Sequence, residues 1–134
     1  MAAKKLCPCG TGKLYSECCR PLHDGALPPD ALALMRSRYS AYVLHKAPYI
    51  IRTTHPQNST YQEDKKKWTR EILLFCLHTR FQKLEILEFI PGESEAFVTF
   101  KVSLLQKNED LSFQEKSRFL KEGEQWLYYA AVKT

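Results

Sequence analysis

The sequence predicts an α+β fold in which helices pack against one face of an antiparallel sheet. Apolar residues follow helical spacing in the first half of the chain, and from residue 83 onward they alternate as they do in strands. The connections between the strand segments are short, which favours antiparallel pairing of neighbours as a meander. Helices followed by a run of strands are typical of α+β domains.

A cluster of cysteines precedes this domain. Two pairs, CxC and CC, are formed by Cys7, Cys9, Cys18 and Cys19. Zinc takes four thiolates at roughly 2.3 Å, so its ligands must come from two segments folded back on each other. Gly10 and Gly12, between the pairs, can adopt the positive φ of a tight reversal. We therefore predict one structural zinc ion in a knuckle over residues 1–25, which folds separately from the main domain over residues 26–134.

Other interpretations of this segment are weaker. Disulfides need an oxidising compartment, and residues 1–6 carry no apolar export signal, so we expect a reduced, cytoplasmic protein. Redox-active pairs are usually spaced CxxC. A phosphate loop has wider glycine spacing, and Leu14 stands where that loop places Ser or Thr. His23 is a minor candidate ligand, because four cysteines already complete the tetrahedron.

Three helices are predicted after a linker over residues 22–29. The first covers residues 30–45 behind an Asp30 cap, and the second begins at Pro48 and ends before residue 55. Residues 60–63 read TYQE, a capping-box pattern that opens the third helix. One face of that helix is expected to hold Trp68, Ile72, Phe75 and Thr79.

Four strands are predicted in the second half. They cover residues 83–90, 96–104, 111–119 and 126–132. In the third strand, Glu115 and Ser117 share a face with Leu111, Phe113 and Phe119, which places a carboxylate among apolar side chains.

A family resemblance covers essentially the whole chain. Residues 7–19 read CPCGTGKLYSECC, which resembles the SEC-C motif, a zinc knuckle found at the carboxyl end of the SecA translocation ATPase and in other bacterial proteins. Residues 21–25 and 35–42 look like the YchJ-like bacterial family. The resemblance implies the same four cysteine ligands. It also implies a nuclear-transport-factor-2-like (NTF2-like, or cystatin-like) cone, in which a curved antiparallel sheet wraps the helices.

Composition argues against two classes of partner. The longest strongly apolar run, residues 72–77, is far shorter than the roughly twenty residues that span a bilayer. The formal net charge is +5, but four thiolates and one zinc ion would lower it to about +3. The densest basic run, residues 65–67, is flanked by acidic residues, as on a solvated helix face. A nucleic-acid partner is therefore not favoured.

The implied cone offers a pocket. Candidate lining residues are Arg36, Arg38, Tyr39, Glu115, Ser117 and Trp126. Glu115 could act there as an acid or base, or pair with an arginine that holds an anionic ligand. The favoured interpretation is structural: a buried ion pair between Glu115 and Arg36 or Arg38 that fixes the helix against the sheet.

Two functions stay open. No catalytic motif is recognisable: His45, His55 and His78 are isolated, and Cys76 is expected to be a buried, inert thiol. Gln114 also stands where YchJ-like relatives often carry His, which weakens the enzyme hypothesis. The favoured function is a zinc-binding interaction module. Its partner, by resemblance to SecA, is a chaperone, secretion or ribosome-associated protein or ribonucleoprotein. The alternative is a small-molecule-binding protein or enzyme that uses the cone pocket.

Overall fold

The computed structural model describes residues 5–132, and in them helices precede a single sheet. A short 3-10 turn at Tyr15–Glu17 precedes the first helix. The helices are α1 (Arg20–His23), α2 (Ala31–Val43), α3 (Ala47–Arg52) and α4 (Lys65–Leu77). The strands are β1 (Arg80–Ile90), β2 (Glu95–Gln106), β3 (Glu109–Asp110), β4 (Phe113–Glu122) and β5 (Gln125–Ala131). The α+β prediction is confirmed.

The four long strands form an antiparallel meander in the order β1-β2-β4-β5. The connection between β2 and β4 is more structured than the sequence indicates. Lys107 and Asn108 both have positive φ, 49° and 66°, as in a two-residue hairpin turn, and β3 then pairs with the end of β2. The buried residues of β2 alternate and mark the inner face of the sheet: Ala96, Val98, Phe100, Val102 and Leu104.

The start of α4 differs from the prediction. Asp64 caps the helix, since its side chain accepts a hydrogen bond from the Lys67 backbone N–H at 3.1 Å. Thr60 instead donates its hydroxyl to Asn58 Oδ1. The capping-box pattern at residues 60–63 therefore lies in a turn before the helix, because the Thr60 hydroxyl is bonded to Asn58 and does not cap the helix.

The end of α4 also differs. The predicted face extended to Thr79, but the helix ends at Leu77 and β1 begins at Arg80, three residues before the predicted start of that strand. Phe75 is 40% exposed, and the inner positions are taken by Trp68, Ile72 and Cys76. These three are spaced four residues apart, so they lie on one side of the helix.

Helix α2 is buried on two sides. Met35 and Tyr39 are buried in the core, and Ser37 and Ser40 on another side are also fully buried. Three of the clustered cysteines belong to the same core as α2. This helix therefore runs between the cysteine knuckle and the sheet and positions residues toward both. The boundary between residues 25 and 26 stays a prediction.

Candidate functional site

The cysteine knuckle is built by a tight hairpin and a short helical turn. Leu6 and Leu14 form a β-bridge, and the Cys7 N–H donates to the Lys13 carbonyl at 2.8 Å. Gly10 and Gly12 both have φ of 85°, which only glycine adopts at no steric cost. The CC pair follows the 3-10 turn at Tyr15–Glu17 and leads into α1. The two cysteine pairs are thereby folded back on each other.

The four sulfur atoms fit a tetrahedral metal site. All of them lie within 4.8 Å of one another. The Cys9 and Cys18 Sγ atoms are 3.6 Å apart, and those of Cys18 and Cys19 are 4.0 Å apart. Zinc–sulfur bonds of about 2.3 Å in a tetrahedron place sulfur atoms about 3.8 Å apart. Cys7, Cys9, Cys18 and Cys19 could therefore hold a metal ion, and four sulfur ligands in a tetrahedron leave no open position for a substrate.

The cluster is prepared to bind a cation. Hydrogen bonding with the Cys19 thiol lowers the pKa of Cys9 below its ordinary value, and the same interaction raises the pKa of Cys19. The Thr11 hydroxyl lies 3.2 Å from Cys18 Sγ. A thiolate is the form that ligates metal, so the lowered pKa of Cys9 favours the form that a metal ion would bind.

Hydrogen bonds tie the knuckle to the main domain. Arg36 donates from Nη1 to the Cys9 carbonyl at 2.8 Å. His23 lies outside the sulfur cluster: its Nδ1 is 2.7 Å from the Tyr15 hydroxyl, and its Nε2 is 2.8 Å from the Ser37 carbonyl. Because a carbonyl only accepts, Nε2 carries the proton and Nδ1 accepts from Tyr15. His23 thus acts as a buried link rather than a ligand.

A second site lies between the helices and the inner face of the sheet. It is a cavity of about 200 Å³. Phe75 and Phe113, which are 40% and 44% exposed, are the most exposed of its lining residues. Most of the wall is apolar or aromatic and includes Met35, Tyr39, Tyr42, Phe81, Phe100, Val102 and Leu104.

One part of the cavity wall is polar. Glu115 is half-buried, and its Oε2 accepts hydrogen bonds from the Ser117 hydroxyl at 2.5 Å and from the Tyr128 hydroxyl at 3.0 Å. Burial and the negative charge of Glu115 raise the pKa of Tyr128 well above its ordinary value. Tyr128 therefore stays a donor, and it orients the carboxylate.

Arg38 lines the same cavity and is only 7% exposed. Its Nη1 donates to the Ile50 carbonyl at 3.1 Å and to the hydroxyls of Thr53 and Thr54 at 2.8 and 3.1 Å. Its guanidinium lies over the Tyr128 ring, 4.9 Å from the centroid. The polar end of the cavity thus carries one fixed cation and one fixed carboxylate.

The predicted Glu115–arginine ion pair is absent among residues 5–132. No ion pair within 4.0 Å joins Glu115 to either arginine in this part of the chain. Arg36 is drawn to the Cys9 carbonyl, and Arg38 is held by the end of α3. Glu115 instead has two hydroxyl donors, so the carboxylate is satisfied without an arginine.

The structure brings together four of the six predicted pocket residues. Arg38, Tyr39, Glu115 and Ser117 line the cavity, whereas Arg36 and Trp126 do not. Trp126 is buried elsewhere in the core. Tyr128 also lines the cavity but is not among the predicted pocket residues. Counting residue pairs back from the β4–β5 turn places Tyr128 opposite Phe119, on the inner face of the sheet, so the strand register could have predicted it.

Comparison with known proteins gives the same two-part organisation. The family model for the YchJ middle NTF2-like domain matches residues 30–131, and the SEC-C motif model matches residues 4–21. A UPF0225 protein of Enterobacter sp. (strain 638) is 40% identical over 127 residues, which cover 92% of this chain and 80% of that protein. The UPF0225 protein YchJ of Shigella dysenteriae serotype 1 is 35% identical over 127 residues, with 92% and 80% covered.

One solved structure is similar over almost its whole length. It is the solution structure of a SEC-C motif containing protein from Rhodopseudomonas palustris, which has a TM-score of 0.80 and 29% sequence identity. The match covers 96% of this chain and 98% of that one. The knuckle and the cone therefore occur together in a second protein.

Proposed function

Because the chain belongs to the YchJ family, in which a SEC-C motif accompanies an NTF2-like domain, we propose that it binds a small molecule in the cavity of the cone. The observation that carries this proposal is the cavity of about 200 Å³ that combines aromatic walls with Arg38 and Glu115. Buried charges are expensive and are normally paired directly. Ligand pockets are mostly apolar and carry a small number of placed polar or charged groups that orient the ligand, and Arg38 and Glu115 fit that description.

The size of the cavity limits the ligand. At about 200 Å³ it is below the roughly 300 Å³ at which drug-sized sites begin. The ligand is therefore the size of a single ring with one polar substituent. Its body contacts aromatic side chains such as Tyr39 and Phe100, and its polar group faces Glu115.

The knuckle has a structural role in this proposal. One zinc ion on Cys7, Cys9, Cys18 and Cys19 would hold the segment that Arg36 and His23 tie to α2. Reduced thiolates need a reducing compartment, which supports a cytoplasmic location. No helix within residues 5–132 is both long and apolar enough to cross a bilayer. The protein or ribonucleoprotein partner expected from the sequence stays a prediction.

The proposal is tested by screening a library of ring-sized fragments against the zinc-loaded protein by ¹H–¹⁵N correlation spectra. We expect hits to shift the amides of Phe100, Val102 and Ser117, which line the cavity. Val102→Phe would fill the cavity and should reduce the affinity of each hit at least tenfold. Thr99→Phe is the matched control, since Thr99 lies three residues away on the same strand, outside the cavity lining.

Two outcomes would overturn the small-molecule function. One is a library that shifts no cavity residue of the wild-type protein. The other is a set of hits whose affinities are the same in Val102→Phe and Thr99→Phe, when thermal unfolding shows that both variants are folded.

A further inference from the structure

The hydrogen-bonding groups left over at the polar end of the cavity define what a ligand must offer. Arg38 uses Nη1 for all three of its hydrogen bonds to the described residues. Within residues 5–132, no buried side-chain nitrogen or oxygen that is sealed from solvent lacks a partner. Arg38 lines the cavity, and its Nε and Nη2 make no hydrogen bond to the described residues, so these two groups are the donors left for a ligand.

Glu115 leaves a complementary group. Both hydroxyl donors contact the same carboxylate oxygen, Oε2. A carboxylate has two acceptor oxygens, so Oε1 is available to accept from a ligand. The cavity thus offers N–H donors from Arg38 and an acceptor from Glu115. Tyr128 separates them, because its ring lies under the guanidinium and its hydroxyl contacts the carboxylate.

From this arrangement, and resting on the proposed function, we infer that the cavity takes an uncharged carboxamide or lactam carried on a compact aromatic or apolar body. The carbonyl oxygen accepts from Arg38, and the amide N–H donates to Glu115 Oε1. One planar group then satisfies both fixed charges, and each of its two hydrogen bonds is charge-assisted.

Charged ligands satisfy only one side of the site. A carboxylate accepts from Arg38 but is repelled by Glu115 and leaves Oε1 without a donor. An ammonium group donates to Glu115 but is repelled by Arg38. Each ion must also give up its hydration to enter an apolar cavity, and this penalty is far larger than that of a neutral amide. Arg38 and Glu115 therefore select for a neutral group with a donor beside an acceptor.

The test compares three benzene derivatives of nearly equal size: benzamide, benzoate and benzylamine. Dissociation constants are measured at neutral pH by following cavity amides in ¹H–¹⁵N spectra of the zinc-loaded protein. We expect benzamide to bind about tenfold more tightly than either charged probe. Glu115→Gln removes the repulsion of benzoate and should reduce the preference for benzamide over benzoate at least fivefold.

A matched control isolates the role of the cavity carboxylate. Glu95 ion-pairs with Arg118 and does not line the cavity, so Glu95→Gln makes the same chemical change elsewhere and should keep the wild-type preference. Equal affinities for the three probes, or tightest binding of benzoate, would overturn the inference while the small-molecule function stands. If none of the probes shifts a cavity amide, the inference fails. The fragment library then decides whether the proposed function fails with it.

Discussion

Removing the metal should destabilise the whole chain, not only the knuckle. Side-chain hydrogen bonds join residues 5–25 to the main domain, and four of them end on backbone carbonyls: Arg36 to the Cys9 carbonyl, His23 to the Ser37 carbonyl, and Arg52 to the carbonyls of Leu22 and His23. At about 1 kcal/mol each, their loss lowers the free energy of unfolding of the main domain by about 4 kcal/mol. Stabilities of single domains are only about 5–15 kcal/mol, so this is a large fraction.

The size of the effect can be measured by calorimetry. For a chain of this length, 1 kcal/mol corresponds to about 4 °C in Tm, so a strong zinc chelator should lower the main transition by about 15 °C. Cys9→Ser should give a similar Tm without chelator, because it removes one of the four ligands. Its Tm should then respond little to added chelator.

The sequence alone predicts the opposite result, because it describes the knuckle as a separate unit held by its metal. A main transition that moves by less than about 3 °C, when elemental analysis shows that zinc has been removed, would refute the coupling. It would mean that the contacts of Arg36, His23 and Arg52 contribute little, and that residues 26–134 fold alone.

Three further results are expected. The purified protein should contain one zinc per chain by elemental analysis; Cys9→Ser should lose it, and Cys76→Ala, a matched loss of a buried thiol outside the cluster, should retain it. Asp64→Ala should lower the free energy of unfolding, measured by chemical denaturation, by about 1 kcal/mol, because the N-cap of α4 is lost. If Thr60→Ala lowered it more, the predicted capping box would be right and the Asp64 cap wrong. Glu115→Gln should cost no more than about 1 kcal/mol, since the amide oxygen can still accept both hydroxyls; a loss above about 3 kcal/mol would indicate a direct arginine partner.

Most helices and strands were predicted correctly, because the patterns that indicate them depend only on residues that are close together in the sequence. The alternation in β2 and the Asp30 cap of α2 are both properties of a few neighbouring residues, and both are confirmed. The family resemblance, which depends on the contiguous run at residues 7–19, is confirmed as well. Errors arose where a second local interaction competed with the first, as when Asn58 engages Thr60 and leaves Asp64 to cap α4.

The partners of the two arginines could not be predicted in the same way. Arg36 and Arg38 are two residues apart on one helix, so they point in different directions. Which of them faces the sheet depends on the rotation of α2 between the knuckle and the cone. Periodicity gives no clear answer, because this helix is buried on both sides. The sequence therefore indicated that a buried carboxylate needs a partner, but not that hydroxyls would supply it. Because Ser117 and Tyr128 supply the hydrogen bonds to Glu115, Arg38 and Glu115 remain two separate charged groups in the cavity wall, and they form a candidate binding site instead of the predicted structural ion pair.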